Sequence, residues 1–158
     1  MTHCSESVID RLTSLGLELP KEMPKPAGMY EPYILHRGTG ILAAQVSGYD
    51  NPKMLGRVGK EVSEEMGIKA AELAALFALG RIDQALGGFE RLTTLLHVAG
   101  HVSSADDYLD QPRILDGASR LFLATLKEKG KHTRTAFHHS RLPRNIVVEL
   151  HITFAYEE

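Results

Sequence analysis

The chain has 158 residues, 43% of them hydrophobic and 24% charged, and a formal net charge of −2, so residues 1–158 are read as one ordinary domain that can bury a core, with no global electrostatic case for nucleic acid or an anionic membrane. Cys4 is the only cysteine, which excludes an intramolecular disulfide and argues against a cysteine-based zinc site. The opening MTHCSESVID lacks a basic segment followed by an apolar one, and no run approaches the ~18 apolar residues of a membrane span, so the expected setting is soluble and cytoplasmic.

In chain order, Ser5 or Ser7 can cap a short amphipathic helix in which Val8, Ile9, Leu12 and Leu15 recur at helical spacing until Gly16. Residues 17–27 carry Pro20, Pro24 and Pro26. These forbid regular helix or a central strand, so residues 1–27 read as a helix followed by an extended arm that must lie across something. Two strands are expected at 33–37 and 41–47, joined by Gly38-Thr39-Gly40, and 50–59 reads as loop. The strongest helical pattern spans Ser63 to Leu86, with Ile68, Leu76, Leu79, Ile82 and Leu86 on one face and many alanines on the other. Gly87-Gly88 stops it. A strand at 92–102 sets Leu92, Leu96, Val98 and Val102 against Leu95, His97, Ala99 and His101. A second helix over 112–128 turns Ile114, Leu115, Ala118, Leu121, Phe122 and Leu126 inward and ends at Gly130.

The last third carries the densest chemistry. Residues 133–139 and 146–155 alternate and flank a turn with Pro143 and Asn145, which predicts an antiparallel hairpin. The second run separates into Ile146, Val148, Leu150, Ile152 and Phe154 on one face and Val147, Glu149, His151 and Thr153 on the other. With Phe137 set on the apolar side, Arg134, Ala136 and His138 join Glu149 and His151, so a guanidinium, a carboxylate and imidazoles are expected to converge. The order of elements fits an α+β two-layer domain, one mixed sheet with two main helices on one face. Leu95, Ala99, Val147 and Ala155 would share the other sheet face with His97, His101, Glu149 and His151. Such a mixture suits a subunit interface that encloses polar clefts. His138 and His151 could meet on adjacent strands, but no third ligand stands beside them, and no metal is expected.

Taken together, several pieces in this order and spacing resemble the YjgF/RidA (reactive intermediate deaminase) family, in particular a subgroup with an extra N-terminal helix. They are Pro26-Ala27-Gly28-Met29-Tyr30, Val46-Ser47-Gly48, the alanine-rich helix, Asp116-Gly117-Ala118-Ser119, Arg134-Thr135-Ala136, Arg141-Leu142-Pro143 and Val148-Glu149. The resemblance implies a chorismate-mutase-like homotrimer with a central β-barrel and ligand clefts between subunits. It also implies a hydrolase of the 2-iminobutanoate/2-iminopropanoate deaminase kind, which converts enamines or imines such as 2-aminoacrylate to 2-oxo acids and ammonia without a cofactor. On the same resemblance, Arg134 holds the substrate carboxylate, for which a planar guanidinium offers a bidentate fork. Glu149 orients the attacking water and accepts its proton, and Tyr30, Ser47 and Gly48 line the cleft. Three positions depart from the family pattern: Ala136 replaces a common cysteine, Tyr49 a common glutamine and Asp116 a frequent asparagine.

Two other function classes remain in view. Lys127, Lys129, Lys131, Arg134, Arg141 and Arg144 lie close in sequence and could contact phosphates, as in an endoribonuclease-type, translation-inhibiting protein. No aromatic stacking platform or RNA-binding motif accompanies them, so nucleic acid is not the expected partner. A non-catalytic sensor of small carboxylates would use Arg134 just as an enzyme would.

Overall fold

The computed structural model of the protein describes residues 6–158. Helix α1 (Val8–Ser14) is capped by Ser7, whose hydroxyl accepts from the Asp10 amide while the Asp10 carboxylate accepts from the Ser7 amide. This reciprocal box satisfies two amides that a helix start otherwise leaves free. The other capping candidate, Ser5, lies outside the described residues, as does Cys4. The proline arm crosses the long helix α2 (Glu64–Leu86) at Gly80, where an added Cβ would come within 2.8 Å of Met23 Sδ and 3.1 Å of Pro20 Cδ.

Strands β1 (Tyr33–His36) and β2 (Thr39–Leu42) form a hairpin. Its turn is Arg37-Gly38, both at positive φ, one step before the predicted glycine-rich connection. Two left-handed residues match the twist of the strands they join. Gly40 falls inside β2, where a Cβ would run into the Phe154 ring. The strand expected over 41–47 is divided: β2 ends at Leu42, and β3 (Gln45–Val46) rejoins the sheet separately.

Helix α2 is capped by Ser63, the first residue of its predicted span, and is closed by left-handed Gly87, where the stop is expected. Ala70, Ala71, Ala74, Ala75 and Ala78 are fully buried beside Leu79 and Ile82. These small residues allow close approach on both sides. Helix α3 (Gln111–Leu126) comes so near that a Cβ on Gly117 would strike the Ile68 carbonyl.

Strands β4 (Leu92–Ser103), β5 (Thr133–His139) and β6 (Val148–Tyr156) complete one sheet in the order β1-β2-β6-β4-β5, with β3 also on β6. Only β4–β5 is parallel. The hairpin predicted for 133–155 is therefore absent: β4 lies between β5 and β6. The reason is the β4–α3–β5 crossover, which carries a helix across one face and returns the chain parallel.

The faces change with the partners. Val98 pairs with both Arg134 and Ile152, which places Arg134 on the helix side. His101 pairs with Phe137 and Glu149, which places these on the open side. The expected single face thus becomes two, with Arg134, Ala136 and His138 against the helix layer and Glu149 and His151 away from it. A bulge between Leu95 and His97 shifts the alternation of β4. Leu95 enters the core at 2% exposure and Leu96 turns out at 42%, the reverse of their predicted sides. Val147, expected on the open face, is also buried in the core.

Candidate functional site

On the open face, neighbouring strands bring their imidazoles together. His151 Nε2 lies 2.8 Å from Glu149 Oε1, and His101 Nδ1 lies 2.8 Å from His139 Nε2. The His101 ring stacks on Phe137 at 5.0 Å and stands 4.9 Å from the His151 ring. His97 is held by Thr133 and Thr135 of β5. Ile34 and Ile41 are exposed, with Ile41 in register with Thr153, so this face mixes apolar and imidazole groups from edge to edge. His138 does not meet His151. It bonds Ser104 Oγ at 2.8 Å on the helix side.

The hydrogen bond from His151 holds the Glu149 carboxyl below its ordinary value, against the opposing effect of burial. Burial pushes the His101 imidazole below its usual value, assisted by His151 and His139, and burial does the same to His132. A histidine with a depressed pKa takes up its proton more readily when unfolded, so stability is lost as pH falls below the ordinary histidine value of about 6.5. The depressed Glu149 carboxyl adds stability above the usual carboxylate range, and this is lost at still lower pH, as acidity passes its lowered value. The melting temperature is therefore expected to hold from pH 8 to 7 and to fall between pH 6.5 and 5. His101→Gln should flatten part of that fall. A wild-type melting temperature that rose on acidification would contradict the sign.

Arg134 is anchored to α3 by three acceptors. Its Nη1 donates to Asp116 Oδ1 at 3.0 Å and Ser119 Oγ at 2.9 Å, and its Nη2 donates to the Pro112 carbonyl at 3.1 Å. The departure at Asp116 thus supplies the arginine with an ion-pair partner. Lys131 pairs with Glu128, and Arg141 donates to Asn145 Oδ1.

At the opposite edge of the sheet, a cavity of about 120 Å³ opens between the proline arm, β3 and α2. Tyr30 and Gly48 line it, with Val46, Phe77 and Tyr49. Tyr30 is fixed by its hydroxyl, which accepts from the Ala27 amide at 3.1 Å. Tyr49 carries the Arg144 guanidinium 5.1 Å above its ring. Ser47 lies beneath rather than in the wall: it is fully buried, and its hydroxyl accepts from the Val148 amide at 3.3 Å. Glu149 is one strand away, paired with the wall residue Val46. Every charged lining residue, Lys25, Arg81 and Arg144, is a cation.

Within one copy, then, the structure brings Tyr30 and Gly48 together, sets Ser47 and Glu149 beside them, and leaves Arg134 on the far edge strand. The sequence reading missed Arg81 and named Arg144 only among the basic residues that could contact phosphates. An arginine inside the apolar run Ala78-Leu79-Gly80-Arg81-Ile82 was the available signal for the first.

Residues 9–156 match the family model described as "YjgF/chorismate mutase-like, putative endoribonuclease". Protein TCP17 of Trypanosoma cruzi is 29% identical over 152 residues, which cover 92% of each chain. The crystal structure of a "putative endoribonuclease" from Shewanella oneidensis has a TM-score of 0.89 at 27% identity, covering 94% of this chain and 99% of that one. RidA from the Antarctic bacterium Psychrobacter sp. PAMC 21119 is more distant, with a TM-score of 0.56 at 22% identity over 84% of this chain and 93% of that one, a likeness of fold alone.

Proposed function

Because the chain belongs to the YjgF/chorismate mutase-like family, we propose that it hydrolyses small enamines and imines that bear a carboxylate, releasing 2-oxo acids and ammonia. The observation that carries this reading is the cleft beside Tyr30 and Gly48, whose walls are largely apolar and whose only charges are positive. A short aliphatic acid fits both properties. In the proposed reaction an enamine first tautomerises to its imine, and water adds to the carbon of the protonated C=N bond while the Glu149 carboxylate takes one of its protons, giving a neutral carbinolamine. That proton then passes to the nitrogen, the C–N bond breaks, and ammonia leaves as the carbonyl forms and the hydroxyl proton returns to the Glu149 carboxylate. The hydrogen bond from His151 keeps Glu149 ionised and fixes its direction.

Arg134 can serve this cleft only from another copy, because β5 and β3 stand at opposite sheet edges. We therefore include a homotrimer in the proposal, with the mixed open face as its interior. Light scattering should return three copies at micromolar concentration, and a monomer would remove the shared cleft. Ammonia release from enzymatically generated 2-aminoacrylate tests the chemistry. Binding of 2-oxo acids with no ammonia from any imine would replace the enzyme with a sensor. Salt-dependent RNA binding, measured in parallel, would favour the nuclease-like reading. Against that reading, Lys131, Arg141 and Arg144 each already have a partner within the chain.

A further inference from the structure

Arg81 lies midway along α2 with only 6% of its surface exposed, and it forms part of the cleft lining. Its Nη1 donates to Gln84 Oε1 at 2.7 Å and its Nη2 to the Pro24 carbonyl at 2.6 Å. Both acceptors are neutral. The third group, Nε, is buried without a hydrogen-bond partner among the described residues. Among the described residues no carboxylate compensates the charge either: burial pushes the guanidinium pKa down, and the opposing influences come from Tyr33 and Tyr30. A buried cation with an unsatisfied donor and no counter-ion is costly, and an anion brought against the guanidinium offsets the uncompensated charge.

We propose that Arg81 anchors the carboxylate of a small aliphatic acid in this cleft. The cavity volume of about 120 Å³ compares with about 150 Å³ for a cavity that accepts benzene, which suits an occupant of about six non-hydrogen atoms. Phe77, Val46, Ala43 and Pro32 face its aliphatic end. The bond to Pro24 places the arginine under the proline arm, so the residues that close the cleft also fix its cation. Arg81, Tyr30 and Gly48 belong to one copy, whereas Arg134 arrives only with a second. The choice of a 2-oxo acid rests on the proposed reaction, but binding through Arg81 does not require turnover.

The test is calorimetric titration of the full chain with pyruvate, which has six non-hydrogen atoms, and with pyruvamide, its uncharged counterpart of equal size. Pyruvate should bind and pyruvamide should bind about tenfold or more weakly, the worth of a charge-assisted hydrogen bond. Arg81→Met should weaken pyruvate binding by a similar factor. Since that change also releases Pro24, Ala44→Leu gives an independent arm: Ala44 is an exposed wall residue, and leucine there fills the cleft with Arg81 intact. Loss of pyruvate affinity in both variants supports the site. Unchanged affinity in either one, or equal binding of pyruvamide, overturns it. If pyruvate binds through Arg81 but no imine releases ammonia, the site stands and the proposed reaction falls. If Arg81→Met releases ammonia at the wild-type kcat/KM, the reaction stands and the site falls.

Discussion

Glu149→Gln is expected to lower imine turnover by on the order of a hundredfold while leaving 2-oxo acid affinity near the wild-type value. Glutamine keeps the shape and can still bond His151, but it cannot accept a proton from water. The carboxylate is available across the neutral range because His151 holds its pKa down. Its strand partner Val46 forms part of the cleft wall, so Glu149 sits on the strand next to the cleft. A variant that bound a 2-oxo acid normally and hydrolysed imine at the wild-type rate would exclude Glu149 as the base. The absent family cysteine sharpens this expectation. With Ala136 in place, and facing the helix layer rather than Glu149, no thiol stands at the family's cysteine position to act as acid or nucleophile.

Arg134→Ala should reduce kcat/KM for acidic imines by on the order of a hundredfold, the worth of a lost bidentate charge-assisted pair. The fold should survive. The bonds that would be lost join β5 to α3 near the surface, and the freed Asp116 is half exposed and can be hydrated. Lysine at this position should restore little, because it keeps the charge but not the fork. Equal turnover by wild type and Arg134→Ala would mean that the arginine serves only to tie β5 to α3.

Local signals in the sequence specify the helices closely. Ser63, Gly87 and the buried alanines of α2 do what their positions predict, because caps and periodicity act within a few residues of themselves. The apolar face of β6 was equally plain. What alternation cannot supply is a neighbour: it sets the period of a strand, not the strand beside it. For that reason β5 and β6 read as a hairpin, although the parallel crossover separates them. Phe137 misled for a related reason. It lies on an edge strand, 45% exposed, and its partner is the His101 ring rather than the core. The β4 bulge that exchanges Leu95 and Leu96 leaves no mark in either residue type. The cleft was half legible, since Tyr30 and Gly48 belong to the pieces that carry the family resemblance, yet Arg81 is joined to Pro24 from 57 positions away. Its burial depends on the arm, which no local pattern around Arg81 reveals.

The position of β6 has a consequence for how the chain acquires its structure. It is the last strand in chain order, yet it bonds β2, β3 and β4. As synthesis proceeds from the N-terminus, the β1–β2 hairpin and the β4–α3–β5 unit emerge first as separate pieces, each with an unpaired edge. Neither can join the other until residues 148–156 have been made. Such distant pairing makes folding slow relative to helical domains of the same size, and it leaves two sheet fragments exposed to wrong partners on the ribosome. Truncation inside β6 should accordingly abolish the sheet as a whole rather than fray one side of it.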